Sequence, residues 1–427
     1  MSVPRTWRPV RLRYLCDVNP AAHRLAGPIA FAPMDAVGVL GGIRFEQMLD
    51  KEDVSTGLSY FEENDVIVAK ITPCFENGKC ALAENVPGGR ALGSTEFHVI
   101  RPGSAVLPKF LFYVCASTAF REPGEAQMYG AAGQKRVPTD FVKDFSLSLP
   151  GKPAQRAIAE FLDRETLRID GLLAKKQHLI ELLDEKRAAL ISRAVTQGLD
   201  LGVAMKDSGV EWLGSVPTHW DVAPLNSRFD VKLGKMLDAR QITGQQLVPY
   251  LRNVDVQWDQ IAVSDLPSMD FDTDDRERFR LRPGDLIVCE GGEVGRAAVW
   301  QGQLMECCYQ KALHRLRPRG SDVPRFLLYV LRSAAIMGVF RAGSNQNTID
   351  HLTSEKLRAH RFAFPPAEEQ SKISAFLDET GGLRSPATSL LTTTIALLRE
   401  YRSALITAAV TGQLDIHAHE KKMESLA

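Results

Sequence analysis

The 427 residues are 44% hydrophobic and 24% charged, and 52 Lys plus Arg balance 52 Asp plus Glu. That length exceeds one ordinary core, so two or three domains of soluble globular composition are expected. Zero net charge excludes a broadly basic nucleic-acid coat. The absence of an 18-residue apolar run excludes a membrane-spanning helix.

The opening MSVPRTWRPVRLRYLC lacks the apolar core of a signal peptide. Seven cysteines, odd in number and without CxxC spacing, predict a reducing, cytoplasmic setting. Cys307 and Cys308 read as buried thiols rather than metal ligands.

Residues 1–150 form a first module of mixed short strands and helices. ENDVIVAK (63–70) reads as a turn and a buried strand, ITPCFENGK (71–79) as a loop, and EFHVIRP (96–102) as a second strand. PKFLFYVCAS (108–117) suits a buried helix, and GAAGQKRVPTDF (130–141) a glycine-rich loop. Residues 151–200 form a long helix, with Pro153 in its first turn and Gly198 past its end. GLDLGVAMKDSGVEWLGS (198–215) reads as a linker.

The module at 201–365 then echoes the first. VPTHWDVAPL matches VPRTWRPVRL, LHRLRP (313–318) matches FHVIRP (97–102), and PRFLLYV (324–330) matches PKFLFYV (108–114). GDLIVCEGGEVGRAAVW (284–300) and GSNQNTIDHL (343–352) occupy the places of the first module's loops. Arg276, Arg278, Arg280 and Arg282 alternate like one strand face, and nearby acids make that face a salt-bridged one. A second helical region, 366–415, repeats 151–200 at a constant shift of 215 residues. Its long helix is expected to start near Pro386 and to end at Gly412. Residues 416–427, with His417 and His419, read as a flexible, solvated tail.

Both helical copies carry an apolar seam. Leu172, Leu179, Leu183 and Leu190 mark the first, and Leu391, Leu398 and Leu405 the second. Two homologous seams in one chain are most economically buried on each other. If the first helix leaves module one and ends at module two, the second must run back, so the pair is antiparallel. The expected fold is α+β: two tandem mixed α/β domains joined by two long antiparallel coiled-coil helices with a pseudo-two-fold. A helix over 163–197 would be about 50 Å long.

These features together resemble the DNA-specificity (S) subunit of Type I restriction–modification systems. The resemblance rests on AKITPCFENGK (69–79), GSTEFHVIRP (93–102), GQKRVPTDF (133–141), EKRAALISRAVTQGLD (185–200), MKDSGVEWLGSVPTHW (205–220), CEGGEVGRAAVW (289–300) and EYRSALITAAVTGQLD (400–415). It covers nearly the whole chain. It implies two target-recognition domains, each reading one half of a bipartite, asymmetric site in double-stranded DNA. It also implies helical spacers that dock two methyltransferase (M) subunits, with restriction (R) subunits as further partners.

On that resemblance the chain itself is non-catalytic and binds no cofactor. S-adenosylmethionine for adenine methylation belongs to the M subunits, and ATP and Mg for cleavage to the R subunits. The residues agree: FPPAEE (364–369) lacks the asparagine of an amino-methyltransferase motif, and GGRALGST (88–95) lacks the lysine of a phosphate loop.

Base reading needs paired donors and acceptors, chiefly Arg, Lys, Asn and Gln. The candidates are Lys70, Thr72, Asn77, Lys79, Gln134, Lys135 and Arg136 in the first module. In the second they are Arg252, Asn253, Glu290, Arg296, Gln310, Lys311, Asn345, Gln346 and Asn347. Two other readings stay open: a protein-interaction scaffold, favoured by the charge balance, and an enzyme using Glu290 and Glu293.

Overall fold

The computed structural model describes residues 7–22, 27–50, 57–131, 133–200, 202–236, 243–340, 351–381, 386–416 and 418–419. The chain divides into two compact units, one of Met1–Gln177 with Thr392–Ala427 and the other of His178–Leu391. The boundary falls inside the long helices, so each unit takes part of both rather than leaving them as separate bodies.

In the first unit, β1 (Arg8–Arg11) pairs with β10 (Ser146–Leu149). One four-stranded sheet runs β2 (Cys16–Val18), β9 (Phe97–Pro102), β6 (Val66–Ala69), β7 (Cys80–Leu82). Another runs β4 (Gln47–Leu49), β3 (Ile29–Ala32), β8 (Arg90–Gly93), β5 (Ser59–Glu62). VIVA in β6 is buried on both faces, which explains a continuous apolar run without alternation. Helices α1 (Pro108–Ala116) and α3 (Thr139–Asp144) pack on the first of these four-stranded sheets, α2 (Thr118–Ala126) packs on α1, and α4 (Lys152–Gln197) follows. α4 spans 46 residues, roughly 70 Å at 1.5 Å per residue. It ends where Gly198 takes φ +79°, a conformation glycine adopts without penalty.

The second unit repeats this order. The stretch expected to be a linker contains a hairpin of β11 (Met205–Asp207) and β12 (Ser215–Pro217). β13 (Asp221–Pro224) pairs with β23 (Arg361–Phe364), as β1 does with β10. A four-stranded sheet runs β14 (Phe229–Leu233), β22 (Leu313–Pro318), β19 (Leu286–Cys289), β20 (Ala297–Val299). Beside it lie β18 (Ser268–Asp270), β15 (Leu247–Leu251) and β21 (Cys308–Tyr309), and a short pair of β16 (Val256–Gln257) and β17 (Gln260–Ile261). The helices are α5 (Leu225–Arg228), α6 (Thr273–Phe279), α7 (Pro324–Ile336), α8 (Ser354–Ala359) and α9 (Ala367–Glu379). Cys307 and Cys308 are buried thiols, and burial pushes both up to about 12.

The arginines read as a strand face are not on one. Arg276 and Arg278 lie on α6, and Arg280 and Arg282 follow it. The Asp272 side chain accepts from Asp275 N–H at 2.8 Å and caps the helix. The alternation of charge belongs to a capped helical turn with acids at its start and bases at its end.

The duplication extends to buried polar groups. Gln155 accepts from Leu107 N–H at 2.8 Å and donates to Pro150 O at 2.9 Å. Gln370 accepts from Val323 N–H at 2.8 Å and donates to Pro365 O at 2.9 Å. Asp65 is held by Arg101, and Asp285 by Arg317, each through two hydrogen bonds. The Tyr113 hydroxyl donates to Asp163 at 2.7 Å, and that of Tyr329 to Asp378 at 2.5 Å. Such groups are satisfied only in one arrangement of the chain, so they specify register as well as stability.

α10 (Pro386–Val410) starts and ends where expected, Gly412 adopting φ +72°. Its residues from Thr392 onward belong to the first unit, where Leu405, Ile406, Ala409 and Val410 join Ile158, Phe161, Leu162 and Ile169 in one core. There it runs antiparallel to α4. Asp170 meets Arg402 at 3.1 Å, and Phe161 meets His419 ring to ring at 5.6 Å. His419 is therefore packed on an aromatic ring rather than solvated; His417 and 420–427 lie outside the described residues.

Within the second unit Arg187 donates to Thr388 at 3.3 Å. Of the seven seam leucines, Leu405 is buried, and Leu398 packs against the first unit's core. Leu172, Leu183, Leu190 and Leu391 are half-buried. Leu179 departs from the expected seam, since it is 45% exposed. Heptad spacing identifies a stripe but not how far along it a partner reaches.

Candidate nucleic-acid interface

The first unit gathers its candidates at the end of β6. Lys70 N–H donates to Glu96 O at 2.9 Å, and Lys70 O accepts from Val137 N–H at 2.8 Å. Thr72 is tied to the next loop, its N–H and hydroxyl both donating to Lys135 O at 2.9 and 3.0 Å. Tyr129 and Arg136 form an antiparallel bridge, exchanging backbone hydrogen bonds of 3.2 and 2.8 Å. A Cβ on Gly130 would lie 2.4 Å from Gln134 O, so only glycine allows the turn to close.

Not every candidate is free to read a base. Gln134, Lys135 and Asn77 are exposed, and Lys70 is half-buried. Lys79 Nζ instead donates to Met34 O at 2.9 Å. Arg136 binds Glu96 through Nε at 3.0 Å and Nη2 at 2.8 Å, and these hydrogen bonds hold the Glu96 carboxyl below its usual range.

The second unit repeats the pattern. Arg296 Nη2 donates to Asn253 O at 2.9 Å, as Lys79 does to Met34, each cation following a glycine of positive φ. Arg296 also donates to Asn253 Oδ1 at 2.8 Å, while Asn253 Nδ2 donates to Gly291 O at 3.1 Å. Arg252 is closed on Asp255 at 2.8 Å and on Asp265 O at 2.9 Å. Arg252, Asn253 and Arg296 thus brace loops.

Glu290 and Gln310 are half-buried and Lys311 is exposed. All three sit at one end of the unit. Glu290 O accepts from Leu352 N–H, Gln310 N–H donates to Leu251 O, and Lys311 N–H donates to Lys235 O. Asn345, Gln346 and Asn347 lie outside the described residues. Glu293 is engaged by Trp258 Nε1 at 2.5 Å and Arg332 at 3.1 Å.

Two histidines that the loop candidates did not include anchor these loops. Buried His98 donates through Nε2 to Val137 O at 2.9 Å, and buried His314 to Leu352 O at 2.8 Å. Their shared place in FHVIRP and LHRLRP is the signal that marks them. Burial lowers both pKa values below the ordinary 6.5, so folding favours the neutral ring. The stability each contributes is complete above about pH 6.5 and is lost as pH falls through the depressed folded value. The protection of the Val137 amide, relative to its intrinsic exchange rate at each pH, is expected to fall below pH 6.5 in the native chain and to lose that dependence in His98→Gln. Equal pH dependence in both would contradict it.

Among the described residues no group of three His, Cys, Asp or Glu is arranged to hold a metal ion. No described helix is long and apolar enough to cross a membrane.

Two α/β units share one scaffold and differ in their exposed loops. The model of the Type I restriction modification DNA specificity domain matches residues 44–182 and 217–383, and the chain belongs to that family. It is 31% identical over 193 residues to the Type I restriction enzyme EcoEI specificity subunit of Escherichia coli, covering 43% of this chain and 30% of that one. To the EcoAI specificity subunit of Escherichia coli it is 35% identical over 161 residues, covering 37% and 27%. These alignments thus span less than a third of either relative. A solved structure reporting complex assembly and conformational transition of the type I R-M system shares the fold at a TM-score of 0.74. That likeness has 20% identity and covers 97% of this chain and 100% of the other.

Proposed function

We propose that this chain is the sequence-specific DNA-recognition subunit of a Type I restriction–modification complex, each unit reading one half of a bipartite, asymmetric site. The observation that carries this reading is the pairing of a conserved frame with unlike tips. Gln155/Gln370, Asp65/Asp285 and His98/His314 make the same bonds, whereas Gln134 and Lys135 stand exposed in one unit and Lys311 in the other. A duplicated scaffold with different side chains at its loop ends suits one task on two targets. The chain is non-catalytic in this reading and binds no cofactor of its own. Two M subunits docked on α4 and α10 supply adenine methylation with S-adenosylmethionine. R subunits, where present, add ATP- and Mg-dependent cleavage.

The helices act as the spacer. Adding seven residues to each of α4 and α10 preserves the heptad face and lengthens each by about 10 Å, close to three base pairs. Methylation mapping of that variant should return the same two half-sites with a longer gap; an unaltered gap contradicts the spacer role. The balanced charge favours a scaffold that never touches DNA, which predicts no sequence preference and no steep salt slope in duplex titrations with the M partner.

A further inference from the structure

Tyr129 and Arg136 are paired through the backbone but differ in how their side chains are engaged. Tyr129 stands opposite Arg136 in the backbone pairing, and Arg136 is bridged on its other side to Ile71. Directly opposed residues of an antiparallel pair project from the same face. Arg136 has every guanidinium nitrogen occupied, Nε and Nη2 on Glu96 and Nη1 on Gln134 O at 3.4 Å. Three of its five N–H donors are thus engaged within the protein, and the bidentate bond to Glu96 makes it a positioning residue.

Tyr129, by contrast, is 67% exposed, and among the described residues its side chain accepts or donates no hydrogen bond. An aromatic ring held by two backbone bonds, beside exposed Gln134 and Lys135, is a large preorganised apolar surface among hydrogen-bonding side chains. Gln134 N–H donating to Ala131 O at 3.0 Å fixes the turn that presents it.

We infer that Tyr129 is a base-contacting residue of the first unit, its ring packing on the C5-methyl group of a thymine in the major groove. The inference rests on the DNA-reading function proposed above. Hydrogen-bond readers distinguish most base edges, and the thymine methyl is the feature of the groove that an apolar surface reads.

The test replaces each thymine of the mapped first half-site with deoxyuridine, which lacks only that methyl, and titrates the complete complex with its M subunits. At one thymine the native complex should weaken about four-fold, the worth of one buried methyl group. Tyr129→Ala should bind the thymine duplex with a similar loss and be indifferent to the deoxyuridine exchange there. Tyr129→Phe should behave as native. Lys135→Ala, a change at a charge rather than an apolar surface, should retain the methyl dependence.

If no thymine is felt by the native complex and ignored by Tyr129→Ala, the inference is overturned while DNA reading stands. If the native complex does not separate its mapped site from scrambled duplex, the proposed function itself fails.

Discussion

Ending the chain at Leu391 is expected to unfold the first unit while leaving the second intact. Residues 1–177 would still be present, yet their core would lose Leu405, Ile406, Ala409 and Val410, and the partly buried Leu398, Leu414 and Ile416 with them. Truncating a single buried leucine or isoleucine to alanine costs about 2–5 kcal/mol, and a whole domain is stable by roughly 5–15 kcal/mol. Removing two such side chains, two smaller ones and their backbone therefore exceeds what the unit can lose.

Polar contacts go as well. The Thr407 hydroxyl accepts from Thr118 N–H at 3.0 Å, and Arg402 leaves Asp170 without its 3.1 Å partner. Amide exchange should show β6 and β9 unprotected and β19 and β22 as protected as in the full chain. Native-like protection of β6 in the truncated chain would show that the first unit folds without its distant segment.

The second large effect is local. Asp65 is 1% exposed and accepts from Arg101 Nε at 2.9 Å, Arg101 Nη2 at 2.8 Å and Glu62 N–H at 2.8 Å. Asp65→Ala takes two hydrogen bonds from the Arg101 guanidinium, which keeps its 3.2 Å pair with Glu62, and strands one backbone donor. Breaking a buried pair from one side costs about 3–5 kcal/mol, and the partial exposure of Arg101 puts this case near 3 kcal/mol. The melting temperature of the first unit should fall by roughly 6–12 °C. Asp65→Asn, which keeps an acceptor for Arg101 and the Glu62 N–H, should lose less than Asp65→Ala. An Asp65→Ala shift below about 1 °C, followed by a probe in the first unit, would contradict the bracket's role.

Much of the frame was legible because periodicity reports burial. The apolar runs VIVA and FHVIRP gave β6 and β9, PKFLFYV gave α1, and the glycines after Val-Thr marked the ends of α4 and α10. The repeat made each element visible twice. Side-chain engagement was not legible. Lys79, Arg136, Arg252, Asn253 and Arg296 have the chemistry of base readers, but their donors are spent on Met34 O, Glu96, Asp255, Gly291 O and Asn253.

Those partners are distant in sequence or hidden in ordinary loop composition, so residue type alone does not separate a brace from a reader. Alternating arginines at 276–282 misled for a related reason. Alternation fits a strand, and the signal that decides for α6 is the Asp272 cap three residues before Asp275. Tyr129 was missed because one exposed aromatic carries no pattern, and only the bridge to Arg136 gives it a place.

The most direct test expresses the chain with its M partner, maps every methylated adenine in the host DNA, and repeats this with Lys135→Ala plus Gln134→Ala and, separately, with Lys311→Ala plus Gln310→Ala. Two half-sites at a fixed gap are predicted, with the first pair altering selectivity in one half and the second pair in the other. A single undivided motif, or variants that each change both halves together, would contradict the assignment of one reader to each unit.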